Sequence, residues 1–264
     1  MIRTGPRRRF ATLLAVALTA GVAPDLPVAA QTAPATRAQA TADAVIQPVL
    51  NLHDADARVR HGARQQIMGM SISELRELSE ALPQLPDAVR ASPVTALTLH
   101  DAAIHIHLRE AKQRVLARTI DRPGGDAFLG IHLGGPRYTD TAEDGQHGVG
   151  VRTTLPGFAA YEHLQDGDRL LAARTEEGLQ HLPNNQRLRE VMFSLSPGQV
   201  VEFLVLRGGR VESVRFRLDH RMEGMGLTND WEEAQPAARR EAEAFWEEQI
   251  LPRLLPPPGA TASA

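Results

Sequence analysis

Four residues on one stretch carry the side chains that a metal ion would need: His100, Asp101, His105 and His107. Neutral imidazoles and a carboxylate are zinc ligands. The spacing argues against a shared site, because helical positions two apart do not face each other, so His105 and His107 diverge, and no His-Glu-x-x-His pattern occurs. Nucleophilic catalysis lacks its parts as well. There is no Gly-x-Ser-x-Gly elbow, and the helical region is too short for a serine-protease domain that could orient a triad. Ser194 and Ser196 flank a helix end, where capping and turn roles are commoner. Asp166 and Asp168 imitate a carboxylate pair, but they flank Gly167 in a turn that accounts for both. Cysteine is absent, which excludes disulfides, thiolate metal sites, cysteine nucleophiles and a lipid-modified N-terminal cysteine. No catalysis, no metal and no cofactor is expected.

The residues suited to binding lie further along the chain. Phe128, Leu129, Gly130 and Ile131 come after the glycine-rich turn at Gly124 and Gly125, so backbone N–H groups there can point into a concavity instead of a ladder. Clustered N–H groups hold an anion without a charged side chain, and an open sheet edge beside them accepts a peptide as an added strand.

These four residues resemble the carboxylate-binding loop of the PDZ family, usually Gly-Leu-Gly-Phe or a variant. From this loop onward, the order of elements resembles the PDZ domains attached to bacterial HtrA-type proteases over roughly ninety to a hundred residues. Gly148, Val149, Gly150 and Val151 match the second strand. Pro156 to Ala160, with Leu164, match the short helix before a Gly-Asp turn, here Asp166, Gly167 and Asp168 leading into Arg169 and Leu170. Leu188, Met192 and Leu195, then Pro197 and Gly198, match the long groove helix and its exit. Two connections, 133–148 and 175–183, are longer than the family minimum. The resemblance implies a ligand strand lying between residues 129–133 and the helix 185–195, with its carboxylate held by amides at Leu129, Gly130 and Ile131. Phe128 and Ile131 would form a socket for a final apolar residue. His132 and Leu133 continue the receiving strand. Arg187, Val191 and Leu195 form the expected groove-facing edge of the helix, with Leu188 and Met192 turned to the core; a shift of helix phase by one position exchanges these roles.

The elements around this segment are set by composition and period. At 264 residues the chain has room for one medium domain or two small ones. A 42% hydrophobic and 23% charged composition is that of a soluble globular chain, and the net charge of −3 gives no reason to expect nucleic acid or anionic membrane as a partner. Lys112 is the only lysine among 29 basic residues. Residues 1–30 read as a cleavable signal peptide: Arg3, Arg7, Arg8 and Arg9, an apolar run, then Val28, Ala29 and Ala30. The apolar run stops at Pro24 and Asp25, short of the roughly 20 residues of a membrane span, so no stable span is expected after cleavage. Secretion through the general route is expected, with a twin-arginine form as the alternative at Arg7 and Arg8.

Residues 31–43 suggest a flexible leader. Across 44–120, apolar residues recur at helical spacing, as at Leu75, Leu78, Leu82 and Leu85, predicting three or four helices, with a capping box at Ser71 and Glu74. The stretch from Leu52 to Ala63 looks like one HEAT-type repeat unit. Composition shifts at 121–125, a boundary, and 124–220 is rich in strands, with Gly208 and Gly209 forming a tight primed turn. Residues 221–264 predict an amphipathic helix over 236–251 with Ala242, Phe245, Trp246 and Ile250 near one face, and a disordered tail. Phe245 and Trp246 suit a membrane or partner contact, but the many Glu residues favour packing back on the protein.

The predicted architecture is therefore α+β: a helical module, a PDZ-like five- to six-stranded partly open barrel with two helices, and a C-terminal helix. The function it implies is a non-catalytic adaptor of the periplasm or of the secreted fraction, binding C-terminal or extended peptide segments by strand addition. The alternatives are an auxiliary subunit of a separate envelope protease and an inert scaffold.

Overall fold

Local sequence chemistry punctuates the helical half. The computed structural model describes residues 37–118, 126–134, 148–222 and 228–255. The signal segment 1–30, the boundary at 121–125, most of the long connection 133–148 and the tail beyond Leu255 lie outside the described residues. Helix α1 (Arg37–Asn51) begins inside the stretch whose composition suggests a leader; its Ala and Arg content favours helix. Asp56 caps α2 (Ala57–Met68) by accepting from Arg58 N. Ser71 and Glu74 make the predicted capping box of α3 (Ile72–Ala81), each side chain bonding the other's backbone. Pro83 and Pro86 then break the chain into a 3-10 turn and the single-turn α4 (Asp87–Arg90). This raises the helix count to five, because proline at a first turn starts a helix as readily as it ends one. Ser92 caps α5 (Pro93–Ala117), the longest helix of the group.

Their apolar faces meet. Val49, Ile67, Met68, Leu75, Leu78, Leu82, Leu99 and Ile106 are at most 1% exposed, each burial contributing about 1.5–3 kcal/mol before chain entropy is subtracted. Ile250 and Leu254 from the far end of the chain join this cluster. They arrive on α8 (Thr228–Phe245), a π turn at Trp246–Ile250 and α9 (Leu251–Leu254). Helix α8 starts eight residues before Pro236 and lies along α5, burying Ala238 and Ala242, so the terminal helix packs back on the protein. Phe245 and Trp246 are partly buried against the helical core, beside His107 and His100. No described helix is long and apolar enough to cross a membrane.

The second half is an open antiparallel sheet, which makes the chain α+β. Its path is β2 (Ile131–Leu133), β3 (Val149–Thr154), β4 (Arg169–Thr175), β6 (Val200–Arg207) and β7 (Arg210–Arg217), with β5 (Gly178–His181) also on β4. Gly208 and Gly209 both have positive φ, 55° and 78°, as the primed turn between β6 and β7 requires. Two helices complete it, α6 (Ala159–His163) and α7 (Asn185–Phe193). No apolar alternation marks β5, where Leu179 and His181 are exposed and Gln180 is half-buried. The predicted strand over 128–133 is divided. β1 (Ala127–Phe128) pairs with β8 (Asp219–His220), whereas β2 pairs with β3.

Candidate functional site

Gly130 divides that strand. Its φ of +73° lies in the left-handed region. A Cβ built there would stand 2.2 Å from Phe158 Cβ, so only glycine fits beneath Phe158. The turn carries the backbone from the β8 ladder to the β3 ladder. On β3, Leu155 N donates to Gly130 O (2.8 Å) and Gly134 N donates to Gly150 O (3.0 Å). These bonds bracket Ile131 opposite Thr154 and Leu133 opposite Val151 as non-hydrogen-bonded pairs. In such pairs the residue's own N–H and C=O point away from the partner strand. Ile131 and Leu133 therefore present their amides and carbonyls to the outer edge of β2, where no described strand lies.

Helix α7 stands across from that edge, and between them is a cavity of about 370 Å³. Phe128, Leu129, Ile131 and Leu133 form its strand wall. Leu188, Arg189, Met192 and Phe193 form its helix wall, and Arg221, just past β8, closes one side. Of the residues singled out from sequence, the structure thus brings Phe128, Leu129, Ile131 and Leu133 to the cavity, and Gly130 shapes the loop. His132 alternates to the other face of β2 and is exposed.

The helix side needs correction. Val191 and Leu195 are buried in the sheet core, and Arg187 bonds Glu190 and Gln180 away from the cavity. Asn184 caps α7 and sets the phase so that Leu188 and Met192, four apart, face the cavity. Both are also core residues, 3% and 9% exposed, so one helical face serves as core and groove floor together. Arg189, Phe193 and Arg221 escape a reading from sequence. Phe193 is 68% exposed at the rim, an aromatic where a polar helix position is expected, which is the only local signal among the three.

The loop is braced from behind by α5. Gly157 N donates to His105 Nδ1 (2.9 Å), so His105 carries its proton on Nε2, which faces Glu162 Oε1 at 3.1 Å. Arg109 donates to the same carboxylate (2.7 Å) and to the carbonyl of Met68 (3.0 Å). Lys112 bonds Asp219, whose second oxygen accepts from Ala159 N (2.6 Å), and the ammonium lies 4.4 Å from the Phe158 ring centre. Gly157, Phe158 and Ala159 are thereby held in the position against which Gly130 closes.

Burial, and in His105 also the need for an unprotonated Nδ1, holds the imidazole below its ordinary range. Burial would raise Glu162, but hydrogen bonds from His105 and Arg109 outweigh it and hold the carboxyl low. His61 and His163 are also lowered, mainly by burial. A group neutral in the fold but basic when unfolded gives the unfolded chain more protons below about pH 6.5. Stability is fully present above that pH and falls as pH drops towards 5. Melting curves at pH 7.5 and 5 should show the loss, and His105→Gln should flatten the slope; equal melting temperatures at both values would contradict this linkage.

The sequence's candidate chemistry is dispersed. His100 bonds Glu243, His105 bonds Glu162 and His107 bonds the carbonyl of Ala103, so these imidazoles do not converge. No cluster of three metal-ligating side chains occurs among the described residues. Asp166 accepts from Thr154 N, and Asp168 accepts from Gln165 N and Arg207. Ser194 Oγ donates to the carbonyl of Val191.

No family model and no curated protein matches the chain. Among solved structures, the chain is similar to two of the HtrA-type protease AlgW with decapeptide. One is 20% identical with a TM-score of 0.33 and the other 22% identical with a TM-score of 0.31. Each alignment covers 41% of this chain, and the chain spans about a third of those proteases, 33% and 34%.

Proposed function

We propose that the cavity between β2 and α7 receives an extended peptide by strand addition, with its carboxyl end at the amides of Leu129, Gly130 and Ile131. The observation that carries this is the outward pair of amides at Ile131 and Leu133, facing Leu188, Met192 and Phe193 of α7 across a cavity of about 370 Å³. Backbone bonding supplies affinity and the apolar floor supplies selectivity for alternate side chains. In this reading the segment 124–220 is a PDZ-like module and the chain a non-catalytic adaptor. Its action in the cell envelope or outside the cell rests on the basic start and apolar run of residues 1–30.

The mature chain should be titrated with a library of C-terminal peptides and their amidated forms. Free acids should bind roughly tenfold or more tightly than amides, the scale of one charge-assisted hydrogen bond. Phe193→Asp should weaken binding by a similar factor without lowering the melting temperature, because the side chain is exposed. Indifference to amidation would refute carboxylate capture, and unchanged affinity in the Phe193 variant would move the site elsewhere.

A further inference from the structure

Two guanidinium groups face this cavity, Arg189 from α7 and Arg221 beyond β8, and among the described residues no carboxylate lines it. Their situation differs from that of other arginines nearby. Arg187 is engaged by Glu190 at 3.0 Å and Gln180 at 2.8 Å, and Arg207 by Asp168 at 2.6 Å. Arg189 is exposed and makes no ion pair among the described residues. Arg221 lies over the Phe128 ring, 5.7 Å from its centre. Among the described residues its nearest ion-pair partner is Asp126 at 3.9 Å, too long for a hydrogen bond, and its Nε is buried with no hydrogen-bond partner.

A cationic rim over an apolar floor selects by charge. The chain as a whole is slightly acidic, so this local excess is set by the arrangement and not by a generally basic surface. Guanidinium groups bind carboxylates through two parallel N–H bonds, and an apolar wall strengthens the attraction by excluding water.

Resting on the peptide-binding reading, we infer that the groove is specific for acidic tails: a peptide with an apolar terminal side chain on the Met192 floor and an Asp or Glu side chain close before it, held by Arg189. Arg221 adds positive charge beside the loop at Phe128, where the terminal carboxylate would sit. Arg189 is a specificity-determining residue, and its occupant is a partner's acidic C-terminus.

Decapeptides ending in valine, identical except for Glu, Gln or Lys at the second to fourth positions from the end, test this against the full mature chain by fluorescence polarisation. The Glu peptides should bind roughly tenfold or more tightly than the Lys peptides. The gap should narrow with added salt. Arg189→Glu should reverse the order, and Arg189→Gln should abolish the discrimination between Glu and Lys peptides. Equal affinity for Glu and Lys peptides, or an unchanged order in Arg189→Glu, overturns acidic selection and leaves peptide binding standing. Failure of every peptide to bind overturns both readings. Arg189-dependent binding to phosphatidylglycerol vesicles, with no preference among peptides, also overturns the inference.

Discussion

Asp219→Ala is expected to destabilise the fold by about 3–5 kcal/mol, the cost of leaving one member of a buried ion pair alone. Lys112 is only 3% exposed, and burial pulls its amine below the ordinary range against the opposing pull of Asp219. The carboxylate also receives Ala159 N, so its loss strips a partner from the backbone that holds Phe158. Without Asp219 the amine is pushed further down. The unfolded chain then binds more protons than the folded one between the lowered value and about 10.4, and stability should rise as pH increases through that window. Urea unfolding at pH 7 and pH 9 reads both effects. The double variant Lys112→Met with Asp219→Ala should recover much of the loss, since Met fills the stem's space without a charge. A loss under about 1 kcal/mol, or a double variant as unstable as the sum of the singles, would show that the pair is not coupled.

Gly130→Ala should cost about 2–5 kcal/mol: roughly 1–2 for an L side chain at positive φ and 1–3 for overpacking against Phe158. Gly167 offers an internal comparison. Its φ of +90° is equally left-handed, but a Cβ there meets open space, so Gly167→Ala should lose only about 1–2 kcal/mol. Chemical denaturation of the two variants isolates the contact with Phe158 as their difference. Equal losses would remove any special role for that contact. Gly130 substitutions therefore change fold and groove together, whereas Phe193 and Arg189 probe the groove alone. Val191 is unsuitable for the same purpose, being 4% exposed in the sheet core.

Signals carried by adjacent residues are legible in this sequence. Ser71 with Glu74, and Gly208 with Gly209, each specify their geometry within four residues, and both form as read. The strand wall of the groove is legible for a related reason, because Phe128, Leu129, Gly130 and Ile131 are contiguous. The helix wall is not. Hydrophobic period locates the buried face of α7 but does not tell a residue buried by the sheet, such as Val191, from one buried beside a cavity, such as Met192. Arg221 reaches the groove only because β8 pairs with β1, a contact between residues some ninety positions apart that no local pattern announces. The start of α8 is hidden by Pro236, which reads as a first-turn proline yet lies inside the helix.

The placement of Lys112 also governs how the molecule meets reagents. Apart from the α-amino group, its Nζ is the one primary amine in the sequence, and the fold stores it, paired with Asp219, between α5 and β8. Acylating labels therefore find almost nothing to modify on the native surface. Modification of that side chain would proceed only while the two halves of the protein part, so its rate becomes a clock for their separation.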